Sequence, residues 1–108
     1  MLIPKAEKYI EYMLQVIIKL PRTEKFSIGT EYKTSMYKML ECILIISKIN
    51  EKDIMYYLNK IDSYLNTQRI YLRIMKKQRW IDEKKFKVAI EMIYEIGKII
   101  LFYLEFWE

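Results

Sequence analysis

The stretch LPRTEKFSIGTEYK, residues 20–33, separates two long apolar segments that have a helical period. Pro21 lacks an N–H and disfavours helical geometry at the preceding residue, so it predicts the end of the first segment. Ser27 suits an N-cap, Phe26 is placed to act as a hydrophobic staple before it, and Gly29 lets a neighbouring backbone come close. We interpret the break as architectural: a loop that joins two helices.

The composition favours an all-α protein. Two glycines and two prolines among 108 residues are too few for an all-β chain, whose tight turns consume both. A chain of this length buries roughly 65% of its unfolded surface without needing disulfides or metal. No repeat or low-complexity linker divides the sequence, so we expect a single domain that spans residues 1–108.

Apolar residues recur at three- and four-residue spacing in four segments. Pro4 suits the first turn of the first helix, and Asn50 and Asp82 suit the N-caps of the third and fourth helices. The predicted helices span about residues 5–20, 28–49, 51–78 and 83–107. Their short connections favour antiparallel neighbours, and hence an up-down-up-down four-helix bundle.

The residue inventory excludes several kinds of catalytic site. Cys42 is the only cysteine and the chain has no histidine, which excludes an internal disulfide, a Ser-His-Asp triad and the usual zinc ligand sets. The sequence has no glycine-rich phosphate loop and no nucleophile elbow, so we expect a protein without catalytic activity or cofactor. The opening residues turn polar too early for a signal peptide, which predicts a cytoplasmic location.

The formal net charge of +5 is distributed unevenly. Its three parts are +3 in residues 1–49, +4 in residues 50–81 and −2 in residues 82–108. The excess is concentrated in a basic stripe near the end of the third helix, with no acidic residue between positions 69 and 79. The stripe consists of Arg69, Arg73, Lys76, Lys77 and Arg79.

Two interpretations of the basic stripe remain open, a solvated helix face and a surface that binds phosphates. Arg22 and Lys25 have the same two interpretations, as solvated loop charges or as contacts to a partner. Trp80 and Tyr71 are candidates to stack on unpaired bases, although packing in a core or interface is the commoner role of such residues.

The helices carry more apolar surface than one small bundle needs. On the third helix Tyr56, Ile70 and Ile74 lie away from the core-facing side, and the second helix is apolar almost all round over residues 39–46. The segment IGKIILFYLEFW, residues 96–107, is apolar on every side but too short to span a bilayer. A homo-oligomer explains this surplus, and a monomer with wide buried helix faces is the alternative. The predicted interface consists of Tyr56, Ile70, Ile74, Ile99, Phe102, Tyr103, Phe106 and Trp107.

The junction and two later features resemble one known family of four-helix bundles. It contains the accessory variability determinant (Avd) of diversity-generating retroelements and the proteins encoded in intervening sequences of bacterial large-subunit ribosomal RNA genes. Besides the basic third helix and the segment EIGKII, residues 95–100, the matching positions are Leu20, Pro21, Arg22, Glu24, Lys25, Phe26 and Gly29. The resemblance covers nearly the whole chain.

The resemblance implies a small basic bundle that assembles into a homopentameric barrel. In retroelements such a protein associates with a reverse transcriptase and with RNA, DNA or their hybrid during mutagenic retrohoming. The implied role is therefore that of a nucleic-acid-binding accessory subunit. A protein-interaction scaffold, or a ribosomal RNA intervening-sequence protein, is the alternative.

Overall fold

We describe a computed structural model that covers residues 1–107, apart from the side chains of Glu51 and Trp107. All the secondary-structure elements of these residues are helices, which confirms the all-α prediction. The helices are α1 (Leu2–Ile18), α2 (Arg22–Lys25), α3 (Ile28–Ile46), α4 (Glu51–Lys77) and α5 (Glu83–Trp107). No helix in this part of the chain is long and apolar enough to cross a membrane.

The four long helices pack as an antiparallel bundle about 43 Å long. Around the bundle α1 contacts α3, α3 contacts α4, α4 contacts α5, and α5 returns to α1. The core runs the length of the bundle and includes side chains from every long helix, such as Met13, Met36, Leu65 and Ile93. This order of contacts is the one that an up-down-up-down bundle requires.

Two of the predicted helix bounds differ from the structure by three residues, and the predicted ends at 20 and 78 differ by two and one, since α1 ends at Ile18 and α4 at Lys77. α1 begins at Leu2 rather than near residue 5, because the Leu2 side chain is already buried in the core. α3 ends at Ile46 rather than near residue 49. There the hydroxyl of Ser47 donates a hydrogen bond to the carbonyl of Leu44, which competes with continuation of the helix.

The junction between α1 and α3 is more ordered than the predicted loop. Its residues 22–25 form the single turn α2, with Pro21 at the N-cap position. Gly29 packs as expected, since a Cβ there would lie 3.0 Å from Cγ2 of Ile17. Ser27 is at the N-cap position of α3, but its hydroxyl donates to the carbonyl of Thr23 instead of accepting from the helix.

The staple prediction for Phe26 is wrong. The side chain is 74% exposed, so it contributes little to the core.

The predicted N-caps Asp82 and Asn50 have different outcomes. Asp82 caps α5, because its Oδ1 accepts a hydrogen bond of 2.8 Å from the backbone N–H of Lys85. Asn50 precedes α4 at the N-cap position but makes no side-chain cap bond.

A polar network crosses the centre of the bundle. The hydroxyl of Tyr9 donates to Oε1 of Gln68 at 2.6 Å and is also hydrogen-bonded to the hydroxyl of Tyr32. Nε2 of Gln68 donates to Oγ of Ser35 at 3.0 Å, and that hydroxyl donates to the carbonyl of Tyr64. Every buried side-chain polar atom among the described residues has a partner, so this network is satisfied.

Sequence analysis did not identify this network. Gln68 lies in the core-facing seam between Leu65 and Leu72, at the one position where the apolar repeat of the third helix is interrupted. A polar residue at such a position signals a buried hydrogen-bonding partner on another helix. The partners, Tyr9 and Ser35, are far away in sequence, so only the packing identifies them.

Candidate nucleic-acid interface

Antiparallel packing brings two basic segments to the same end of the bundle. Residues 19–33 surround the junction of α1 and α3, and residues 69–87 surround the turn between α4 and α5. Together they carry twelve basic and four acidic residues, a balance of +8, whereas the rest of the chain carries seven and ten, a balance of −3. We call residues 19–33 and 69–87 the basic end. The charge separation therefore follows the long axis of the bundle.

The basic stripe divides into free and engaged cations. Arg73, Lys77 and Arg79 are exposed and make no ion pair with the described residues. Arg69 and Lys76 lie at the border with α5, where both interact with other side chains of this chain. The predicted stripe is therefore present, but three of its five cations are directly available to a ligand.

The two engaged cations have specific contacts. The Arg69 guanidinium donates a hydrogen bond to Oδ1 of Asn66, and its Nη2 lies 3.1 Å from where a Cβ on Gly97 would be. The Lys76 ammonium lies 2.9 Å from the Glu83 carboxylate and 4.5 Å from the centre of the Phe86 ring. The Lys76 contacts link the end of α4 to the start of α5 and reduce the charge that Lys76 presents to solvent.

Arg79 has an unusual backbone conformation. Its φ is +63°, in the left-handed region that non-glycine residues seldom occupy. The surrounding hydrogen bonds form a Schellman motif, with the Arg79 N–H bonded to the carbonyl of Lys76 and the Trp80 N–H to that of Met75. Glycine is the usual residue at this position, and a side chain here costs roughly 1–2 kcal/mol. The strained conformation places an exposed cation at the turn between α4 and α5.

Sequence analysis missed three lysines at the start of α5. Lys84, Lys85 and Lys87 lie in its first two turns, beside the end of α4, although the last quarter of the chain is net acidic. The positive end of a helix dipole disfavours cations at these positions, so helix stability does not explain them. The cluster of basic residues at a helix start was a signal that averaging charge over residues 82–108 concealed.

The remaining predicted contacts lie at the same end. Arg22 is exposed and Lys25 is half-buried, and both lie on α2. Trp80 and Tyr71 are partly buried against the core, and Tyr71 packs beside Tyr32. The packing interpretation of these two rings is therefore confirmed.

Most of the predicted interface residues are exposed in the single chain. They are Tyr56, Ile70, Ile74, Phe102, Tyr103 and Phe106. Ile99 is different because it is half-buried and packs on the core of its own bundle, and the side chain of Trp107 lies outside the described residues. The second predicted helix, which is α3, exposes less apolar surface than expected. Among residues 39–46 the exposed apolar side chain is that of Leu44.

The end of the bundle opposite the basic end contains an apolar groove. A groove of about 500 Å³ opens there between the start of α1, the end of α3 and the start of α4. Its lining residues include Leu2, Ile43, Ile46, Ile54 and Tyr103. Beside it, Leu101 and Phe102 on α5 are more than half exposed. The two ends therefore differ, since one concentrates cations and the other contains an apolar groove.

The described residues contain no group of three or more Cys, Asp and Glu side chains arranged to hold a metal ion.

A family model described as bAvd-like matches residues 1–106, nearly the whole chain. No curated protein matches the sequence. The match spans both the junction around residues 20–33 and the basic stripe.

Proposed function

The chain belongs to the bAvd-like family, and we propose that it is a cytoplasmic, non-catalytic accessory protein that binds nucleic acid through its basic end. The single observation that carries this proposal is the collection of twelve cations at one end of a bundle whose remainder is net acidic. Phosphates that contact these cations release condensed counterions, which gives strong and salt-sensitive binding with little sequence preference.

The proposal also accounts for two costs in stability. The left-handed Arg79 and the lysines at the start of α5 are unfavourable for the isolated fold, yet both add charge to the same surface. Such costs are typical of functional positions. Sequence-independent phosphate binding needs only a dense set of exposed cations, and Arg73, Lys77 and Arg79 meet that requirement.

A charge-reversal experiment tests nucleic-acid binding. We expect the triple variant Arg73→Glu, Lys77→Glu, Arg79→Glu to lose binding to a labelled oligo(dT) strand at moderate salt. Any binding left at low salt should show a salt slope smaller by about 2, since a cation on single strands contributes about 0.7. Fluorescence anisotropy over a salt series measures both quantities.

The matched control is the triple variant Lys38→Glu, Lys48→Glu, Lys52→Glu. It changes the net charge by the same amount, but its lysines are exposed outside the basic end. We expect it to bind much more tightly than the first variant. Equal losses in the two variants would show that only the net charge matters, and a wild-type protein that does not bind would end the proposal.

We further propose that the protein works as a homo-oligomer, a pentamer by its resemblance to Avd. The apolar residues on the outer face of α4 and at the end of α5 support this assembly, because exposed patches of this kind usually mark interfaces. Native mass spectrometry measures the number of copies. We expect Phe102→Lys, at a side chain 64% exposed, to weaken the assembly without unfolding the chain, and a monomeric wild type would contradict it.

The proposed protein partner is a reverse transcriptase, as in retroelement mutagenic retrohoming. Support for it comes from the family resemblance. A reverse transcriptase encoded beside this gene should co-purify with the protein after nuclease treatment. Loss of the complex on nuclease treatment would instead mean that nucleic acid bridges the two proteins.

The second candidate is a protein-interaction scaffold, as an intervening-sequence protein or otherwise. The apolar groove between α1, α3 and α4 favours it, since its chemistry suits a protein partner better than a phosphate. The triple charge reversal separates the two functions. A scaffold that binds through its apolar groove keeps its partner in that variant, whereas a nucleic-acid-binding subunit loses its ligand.

A further inference from the structure

We infer that Phe26 stacks on an unpaired nucleobase, so that the basic end binds a single strand with bases more tightly than an abasic strand with the same phosphates. This inference rests on the proposed function and specifies the class of its ligand. The first observation is that Phe26 does not form the expected hydrophobic staple, because its ring is 74% exposed. Leaving a phenylalanine in water forfeits the hydrophobic stabilisation that its burial provides.

The backbone that carries Phe26 is fixed on both sides. Two hydrogen bonds span it: the hydroxyl of Ser27 donates to the carbonyl of Thr23, and the hydroxyl of Thr30 donates to the carbonyl of Lys25. Gly29 is packed against Ile17, which holds the start of α3 on α1. The exposed ring is therefore presented from an ordered turn rather than from a loose loop, and little entropy is lost when a ligand contacts it.

The surroundings of Phe26 match a nucleic-acid strand. The adjacent side chains in sequence, Lys25 and Ser27, are polar, and Arg22 is exposed one turn earlier on α2. Proteins that bind single strands combine cations along the phosphates with aromatic rings under the bases. Phe26 is the aromatic residue of the basic end that remains well exposed, since Tyr71 and Trp80 are packed against the core.

A protein partner fits this site less well. A stable protein interface buries about 800 Å² on each side around an apolar centre. The other large exposed aromatic residues of the described chain lie elsewhere, on α3, on the outer face of α4 and along α5. One ring between cationic and hydroxyl-bearing neighbours suits a planar base, which needs only the face of the ring.

The experiment compares oligo(dT) with an abasic strand that has the same length and the same phosphates. We expect Phe26→Ala to weaken binding to oligo(dT) about fivefold, the lower end of the range for one base stacked on an aromatic ring. Binding to the abasic strand should stay unchanged, and so should the salt slope, because no phosphate contact is removed. Phe26→Trp should keep the affinity for oligo(dT).

Two further variants sharpen the result. Phe26→Leu keeps an apolar side chain without a ring, and we expect it to behave like Phe26→Ala. Tyr94→Ala removes an exposed ring from the middle of α5, outside the basic end, and should leave binding to both strands unchanged.

Several outcomes would overturn the inference. For Phe26→Ala, these outcomes are unchanged binding to oligo(dT) or an equal loss of binding to both strands. Full binding of oligo(dT) by Phe26→Leu would also overturn it. So would a change in the oligomer mass of Phe26→Ala, which would assign the ring to a contact with a second copy. The inference and the proposed function fail separately. If the charge-reversal variant loses binding while Phe26→Ala does not, only the stacking role is wrong.

Discussion

The ammonium of Lys76 and the carboxylate of Glu83 are 2.9 Å apart across the turn that joins α4 to α5. Both side chains remain substantially exposed, so the pair contributes at most about 1 kcal/mol to stability. Its larger effect is on charge, because Glu83 neutralises a cation at the centre of the basic end. The pair therefore reduces what the basic stripe presents to a polyanion.

Removal of this carboxylate should strengthen nucleic-acid binding. We expect Glu83→Gln to tighten binding to oligo(dT) by up to about fivefold at low salt, since an exposed charge pair is worth up to about 1 kcal/mol. Anisotropy titrations measure the change. Glu105→Gln, which removes the same charge near the other end of α5, should have little effect, and equal gains from both variants would contradict a local role for Glu83.

Arg79→Gly should change stability and binding in opposite directions. Glycine relieves the left-handed strain of the Schellman motif, so we expect the free energy of unfolding to rise by about 1 kcal/mol and Tm by ~4 °C. The same change removes an exposed cation, which should weaken nucleic-acid binding and lower its salt slope. Thermal unfolding and anisotropy measure the two effects. Arg79→Ala is the control, because it loses the charge but keeps the strain.

Alanine should have opposite effects at the two glycines of the chain. A Cβ on Gly29 meets Cγ2 of Ile17 at 3.0 Å and the backbone carbonyl of Glu24 at 3.2 Å. We expect Gly29→Ala to lower stability by about 1 kcal/mol or more, because a packed backbone cannot move aside easily. Chemical denaturation measures this loss.

Gly97→Ala is the matched comparison. Its new Cβ meets only the end of the Arg69 side chain, at 3.1 Å, and that flexible group can shift. The gain in helix propensity, about 1 kcal/mol in a helix interior, should then raise stability. A loss at Gly97 as large as that at Gly29 would mean that the contact between α4 and α5 is as rigid as the junction.

Tyr9→Phe should destabilise the bundle by about 1–3 kcal/mol. The change leaves Oε1 of Gln68 and the hydroxyl of Tyr32 without their buried partner, and such groups are costly when unsatisfied. Denaturant unfolding gives the difference in free energy. Tyr37→Phe, at an exposed ring, is the control and should have almost no effect.

The same variant should alter the alkaline stability profile. Burial raises the pKa of Tyr9 well above its usual value of 10.0, whereas the unfolded chain titrates near that value. The native state therefore retains a proton that the unfolded state loses, so this contribution is complete below pH 10 and is lost as the pH rises above it. We expect stability to fall less steeply above pH 10 in Tyr9→Phe than in wild type, and parallel profiles would contradict this.

The helices could be predicted because their signals are local. Apolar spacing, Pro21, Gly29 and the Asp82 cap all act within a few residues, and each has the predicted helix, junction or cap in the structure. The predictions that failed concern single side chains at the start of α3, where several contacts compete for the same group. Ser27 donates to a carbonyl one turn back instead of capping, and Phe26 points away from the core.

The candidate site was predicted only in part, for the same reason. The basic stripe is continuous in sequence and was visible as a run of cations. Antiparallel packing alone places it beside Arg22, Lys25 and the lysines of α5, and only side-chain geometry separates the paired Lys76 from the free Lys77. Helix formation depends on neighbours along the chain, whereas the shape and charge of a surface depend on distant segments that packing brings together.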